Sequence, residues 1–172
     1  MNKAVFLDRD GVINEEVNYL IDINQFSFFD DVFDVCRYFQ EKKYLIIVIT
    51  NQSGIARGYY SENDFQKLNA WMISEFKKNK IKINAVYHCP HHPDFGDKCK
   101  CRKPNIELIL KAKKKFNLNL EDSILIGDKD SDIKTVINSS IGHKYLVSTG
   151  HKIVNSYNVK VLNSLKELLE LS

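Results

Sequence analysis

Asp8 and Asp10 stand two residues apart just after a short apolar run, Ala4–Leu7, and Gly11 follows them. Side chains alternate along a strand, so both carboxylates share one face where that strand ends. Like charges this close repel unless a divalent cation lies between them or one of them keeps its proton. Both conditions suit phosphoryl transfer, in which one carboxylate attacks phosphorus and the other hands a proton to the leaving oxygen. Asp-Gly is equally ordinary turn chemistry, so the rest of the chain has to supply the partners of such a site.

A second group of reactive side chains lies mid-chain. Cys89-Pro90-His91-His92-Pro93 is followed shortly by Cys99-Lys100-Cys101. C-x-H and C-x-C pairs at this spacing can close a tetrahedral Zn²⁺ site, and the prolines stiffen the loop. Cys89, His91, Cys99 and Cys101 are the expected ligands, with His92 in reserve and His88 assigned to the end of a strand. Four protein ligands leave no open position, so the metal would be structural. Cys36 falls on the apolar face of a predicted helix and reads as a buried free thiol.

These groups need a scaffold. Short apolar runs at Ala4–Leu7, Leu45–Ile49, Ala85–Tyr87, Ser123–Ile126, Tyr145–Val147 and Val159–Leu162 alternate with segments of helical period. Val32, Val35, Cys36 and Phe39 form one helical stripe, and Phe65, Leu68, Met72 and Phe76 form another, opened by a capping signal at Ser61–Asp64. A third helix through Ile106, Ile109, Leu110 and Phe116 is expected to start at Pro104, and Ser164 to cap a last short one. The pattern predicts one α/β domain over residues 1–172, a doubly wound, mostly parallel sheet. Three strands end in polar residues: Asp8, then Thr50-Asn51-Gln52-Ser53, then Asp128-Lys129. In open α/β sheets the ligand crevice lies at those carboxyl ends.

The 172 residues carry 27% charged and 44% apolar side chains and a net charge of +3. That charge is too small to argue for nucleic-acid or membrane partners. No apolar stretch approaches the roughly 20 residues of a bilayer span. The first strand begins almost at once, which points to a cytoplasmic protein without disulfides. A monomer is expected, because no exposed apolar strip stands out.

The segments DRDGVIN, TNQSGIARG, CRKP and GDKDSD, in that order between Ala4 and Gly150, resemble the haloacid dehalogenase superfamily of aspartate-nucleophile phosphatases. The chain is most similar to its heptose bisphosphate phosphatases and the related histidinol-phosphate phosphatases. The resemblance implies that Asp8 is the nucleophile and Asp10 the general acid and base. It implies a catalytic Mg²⁺ held by Asp8, the Asp10 carbonyl and Asp128. Thr50 and Lys103 would stabilise the transferring phosphoryl group. Glu16, Asn18, Tyr19, Asn51, Gln52, Ser53, Arg57, Arg102 and Lys129 would bind substrate, and the same four zinc ligands are implied. There is no room for the separate cap domain that many members carry. The pocket would instead be built from the loops 14–30, 50–60 and 89–103.

The expected reaction is removal of the C7 phosphate from D-glycero-D-manno-heptose 1,7-bisphosphate, a small phosphorylated sugar. Histidinol-phosphate hydrolysis is the enzymatic rival. Arg102 directly after the last zinc ligand leans toward the sugar. A zinc-stabilised nucleic-acid module fits the charge and ligand spacing poorly, and a silent scaffold would not need both Asp8 and Asp10. Asp30-Asp31, residues 138–141 and Ser148 depart from the family pattern, away from the metal and nucleophile positions.

Overall fold

A computed structural model describes residues 1–96, 98–153 and 159–170. The strands are β1 (Lys3–Leu7), β2 (Tyr44–Asn51), β3 (Ile83–Cys89), β4 (Ile124–Gly127), β5 (His143–Val147) and β6 (Lys160–Leu162). Between them run α1 (Val32–Glu41), α2 (Glu62–Lys78), α3 (Glu107–Phe116) and α4 (Asp130–Ser139). The strands form one six-stranded sheet in the order β3-β2-β1-β4-β5-β6, and every pairing is parallel. The order reverses beside β1. Asp8 and Asp128, far apart in the chain, therefore leave the sheet on neighbouring strands at the switch point.

A sheet covered on both faces needs strands that are apolar on both sides, and these are. Val5 and Leu7 of β1, Ile46 and Val48 of β2, and Ile124 and Ile126 of β4 pack into the core shared with α1 and α2. Their neighbours Ala4, Phe6, Ile47, Ile49 and Leu125 pack on the opposite face against α3 and α4. Both predicted helical stripes are buried in full on α1 and α2. The Ser61–Asp64 signal is a capping box with reciprocal side-chain bonds. The chain's last helical segment, Leu165–Glu170, is a 3₁₀ helix.

Helix α4 is not among the stripes read in sequence, and the third helix starts later than expected. The third helix begins at Glu107, not Pro104, because the chain first turns through Arg102–Asn105, where the Asn105 N–H donates to the Arg102 carbonyl at 2.8 Å. Lys103 thus does not sit at a helix terminus. The helix buries Leu108, Ile109 and Ala112 and leaves Leu110 exposed, so its inward stripe is rotated from the one read in sequence.

Candidate active site

Asp8 follows β1 and is 5% exposed. Its Oδ1 accepts the Arg9 N–H at 2.8 Å and lies 3.0 Å from Lys103 Nζ. Lys103 is equally buried, and its ammonium has three donors. The other two go to Asp132 at 2.6 Å and to the Ile49 carbonyl at 3.0 Å. Burial alone would lower the Lys103 pKa, but the charges of Asp132 and Asp8 outweigh it and hold the amine above its ordinary range.

Asp128 follows β4 on the next strand and is fully buried. Its Oδ2 accepts the His151 N–H at 3.0 Å and lies 2.7 Å from His151 Nδ1, while Oδ1 has no hydrogen-bond partner among the described residues. Burial, with the charge of Asp8 beside it, raises its pKa. Oxygens of Asp8, Asp128 and Asp132 all lie within 4.8 Å of one another. Asp132 is committed elsewhere: besides Lys103, it accepts the N–H groups of Asp128 and Lys129 at 3.3 and 3.1 Å. An orphaned oxygen on a buried Asp128 carboxylate clustered with Asp8 offers the hard donors a small cation needs. Gly11 and Gly150 are glycine for a related reason, since a Cβ on either would overlap the Asp128 carboxylate.

Asp10 is held differently. The Arg9 guanidinium, only 1% exposed, grips both of its oxygens at 2.9–3.1 Å. Asn14 donates to it at 3.0 Å and Gln52 Nε2 at 3.0 Å. Burial pulls the Asp10 pKa up, but the Arg9 charge and these hydrogen bonds prevail and keep it below the usual carboxylate range. Gln52 links the two sides of the site. Its amide also donates to Thr50 Oγ1 at 2.8 Å, and its Oε1 accepts the Tyr60 hydroxyl at 2.6 Å. Tyr60 packs on Gly54, whose bare Cα leaves room for the ring.

Asp10, Glu16, Tyr19, Asn51, Gln52, Ser53, Arg102, Lys103 and Lys129 line one cavity of about 240 Å³ over these groups. Thr50 is buried beneath Gln52, which lines the cavity. Lys129 and Glu16 pair across it at 3.5 Å. The remaining two predicted contacts lie outside the wall. Asn18 is exposed in a turn, and Arg57 turns away to meet His92 at 2.9 Å and the Phe95 ring at 4.6 Å. Arg57 joins the 50–60 loop to the cysteine loop instead.

Arg9, Asn14, Tyr60, Asp132 and His151 belong to the site and were not anticipated. Asp132 had a usable signal: it stands at the third position of α4, where its carboxylate can reach back to the N–H groups of Asp128 and Lys129. Arg9 had none: between two aspartates it reads as a surface cation.

In the cysteine loop, ligand atoms of Cys89, His91, Cys99 and Cys101 fall within 4.8 Å of one another. The Cys89 sulfur lies 3.6 Å from Cys99, 3.7 Å from His91 Nδ1 and 2.8 Å from Cys101, and His91 Nδ1 lies 3.3 Å from Cys101. A tetrahedron with Zn–S bonds of about 2.3 Å has edges of roughly 3.7 Å, so three contacts fit or nearly fit and the Cys89–Cys101 edge must widen. Two thiols and an imidazole around a buried Cys89 are soft donors suited to zinc. His92 faces Arg57 and stays outside the cluster.

The polynucleotide kinase 3 phosphatase family model matches residues 5–162. The chain is 51% identical over 146 residues to the D-glycero-alpha-D-manno-heptose-1,7-bisphosphate 7-phosphatase of Campylobacter jejuni, covering 85% of this chain and 83% of the relative. It is 39% identical over 153 residues to the D-glycero-beta-D-manno-heptose-1,7-bisphosphate 7-phosphatase of Haemophilus influenzae, covering 87% and 83%. Its fold matches the crystal structure of a D,D-heptose 1,7-bisphosphate phosphatase from B. bronchiseptica, with a TM-score of 0.84, 22% identity and 99% of both chains covered. By these matches the chain belongs to the polynucleotide kinase 3 phosphatase family of haloacid dehalogenase-like phosphatases.

Proposed function

We propose that this chain removes the C7 phosphate of D-glycero-D-manno-heptose 1,7-bisphosphate, through an aspartyl-phosphate on Asp8, in the making of nucleotide-activated heptose. The carrying observation is that Arg9 N–H and Lys103 both engage Asp8 Oδ1, which leaves Oδ2 as the oxygen for attack on phosphorus. The 51% identity to a relative named for this bisphosphate supports the substrate over histidinol phosphate.

Asp8, the Asp10 carbonyl and Asp128 would hold Mg²⁺, which when bound neutralises the facing carboxylates and polarises phosphoryl oxygens. Lys103 fixes the attacking carboxylate and adds positive charge beside the transferring group. The Thr50 oxygen accepts from Gln52, so its own proton is left to donate to a phosphoryl oxygen. Asp10 gives a proton to the sugar oxygen as it leaves. It then takes one from the water that hydrolyses the intermediate. Its resting form, held ionised by Arg9, is ready for the second step, and the charge of an arriving phosphate opposes Arg9 and favours the protonated form for the first. Glu16, Tyr19, Asn51, Ser53, Arg102 and Lys129 bind the rest of the sugar. Arg102 suits a second phosphate through its planar fork.

Zinc bound by Cys89, His91, Cys99 and Cys101 holds the loop that delivers Arg102 and Lys103. Among the described residues no helix is long and apolar enough to cross a membrane. The reading places the enzyme in the cytoplasm as a single-domain monomer.

The test is phosphate release from the α and β anomers of the heptose bisphosphate and from histidinol phosphate. A kcat/KM at least about a hundredfold higher for one heptose anomer is expected, since a site built on hydrogen bonds to sugar hydroxyls rejects ligands lacking them. Equal or better turnover of histidinol phosphate refutes the assignment.

A further inference from the structure

At the opposite end of the sheet from Asp8, the pairing of β2 with β3 carries a register shift. Ile46 pairs with Ile83 and Ile47 with Ala85, so Asn84 is skipped in the register. Its side chain serves as the missing acceptor, taking the Ile46 N–H at 2.9 Å. Gln40 of α1 ties down the far side, donating to the Lys80 carbonyl at 3.0 Å and accepting the Lys82 N–H at 2.8 Å. Between these anchors lies a cavity of about 700 Å³, nearly three times the one over Asp8.

Its walls and its mouth differ in character. Tyr44, Leu45, Ile73, Ile81 and Ile83 form an apolar wall, of which only Ile81 is fully buried. Lys43, Lys77, Lys80 and Lys82 ring the opening, all exposed, and no acidic residue lines it. Lys78 nearby pairs with Glu75 at 2.6 Å, but none of the four forms an ion pair among the described residues. An apolar pocket within the ~300–1,000 Å³ range of small-molecule sites, rimmed by one sign of uncompensated charge, attracts and retains the opposite sign.

We propose that this cavity is a second ligand site, for a phosphorylated small molecule with a flat apolar body. The body lies against Tyr44, Leu45, Ile73 and Ile83, and the phosphate meets the lysine ring. β2 runs about 23 Å between Tyr44 and Asn51, at about 3.3 Å per residue, so this ligand and the phosphoryl site are separate.

The test uses the full chain and 1-naphthylmethylphosphonate, whose C–P bond a phosphatase cannot hydrolyse, with neutral 1-naphthylmethanol as control. Amide ¹⁵N–¹H shifts are followed at residues 43–46 and 80–84 and, separately, at residues 51–53 to register binding over Asp8. Saturable shifts at the first set are expected, with the phosphonate bound at least about tenfold more tightly than the alcohol. The Lys77→Glu/Lys80→Glu variant should lose about tenfold in phosphonate affinity there, the combined effect of two exposed charge contacts of about 0.7 kcal/mol each. Its affinity for the alcohol and its phosphatase kcat/KM should be unchanged. Shifts confined to residues 51–53, equal affinity for both probes, or an unchanged affinity in the variant would overturn the proposal. So would sedimentation showing this face closed by self-association, or binding to anionic vesicles without binding of the free probe.

Discussion

Replacing Lys103 by methionine tests how the site is held together. The ammonium is buried, and each of its three donors has a partner: Asp8 at 3.0 Å, Asp132 at 2.6 Å and the Ile49 carbonyl at 3.0 Å. Methionine fills a similar volume but leaves two buried carboxylates facing each other without a counter-charge. Removing one partner of a buried ion pair costs about 3–5 kcal/mol, and on a chain of this size roughly 2–4 °C in Tm accompanies each kcal/mol. A loss of roughly 6–20 °C in metal-free buffer is therefore expected. The penalty also has a pH signature. With Lys103 present, Asp132 is already pushed up to about 6, chiefly by burial and then by the charges of Asp8 and Asp128. An acid whose folded pKa is raised holds a proton that the unfolded chain gives up, so it favours folding as pH falls. The variant should therefore regain stability as pH drops from about 7 toward 4, and Mg²⁺ should stabilise it more than it stabilises the parent. Thermal and urea unfolding at three pH values, with and without Mg²⁺, read all of this. A loss below about 1 kcal/mol, insensitive to both pH and Mg²⁺, would refute the account of Lys103 as the shared counter-charge.

Three further outcomes are expected. Asp8→Asn should reduce phosphate release by at least about a thousandfold while the fold stays intact by circular dichroism, because the amide is no nucleophile. Cys101→Ser should lower bound zinc, measured by atomic absorption, and lower kcat/KM with it, since Arg102 and Lys103 follow directly; full activity in zinc-free protein would contradict this. Gly11→Ala should weaken Mg²⁺ binding in a calorimetric titration, because φ is +88° there and the added Cβ would press on Asp128.

The central strands were legible because a sheet buried on both faces leaves continuous apolar runs, as in Ala4–Leu7 and Leu45–Ile49. Helices α1 and α2 were legible because a single stripe on each meets the sheet. The start of α3 was not: Pro104 suits a first helical turn, but the cysteine loop spends the residues after it on a turn before the helix begins. That Asp8 and Asp128 come together could be read because strand ends converge in this topology. Arg9 could not, since its burial depends on a pocket closed by Leu20 and Gln52 from loops distant in sequence, both within 3.5 Å of its guanidinium. The placement of Arg57 could not be read either. Its loop borders the cavity, yet its side chain meets the Phe95 and His92 rings of the cysteine loop, a contact between segments 35 or more residues apart.

The strand order that sets β1 beside β4 also bears on when chemistry can begin. Asp8 follows β1, while Lys103, Asp128 and Asp132 come from segments about a hundred residues further along the chain. A nascent chain with β1, β2 and β3 docked would present Asp8 to water without Asp128 or Asp132 beside it. On the proposed chemistry, the acidic companion reaches Asp8 only when β4 pairs with β1.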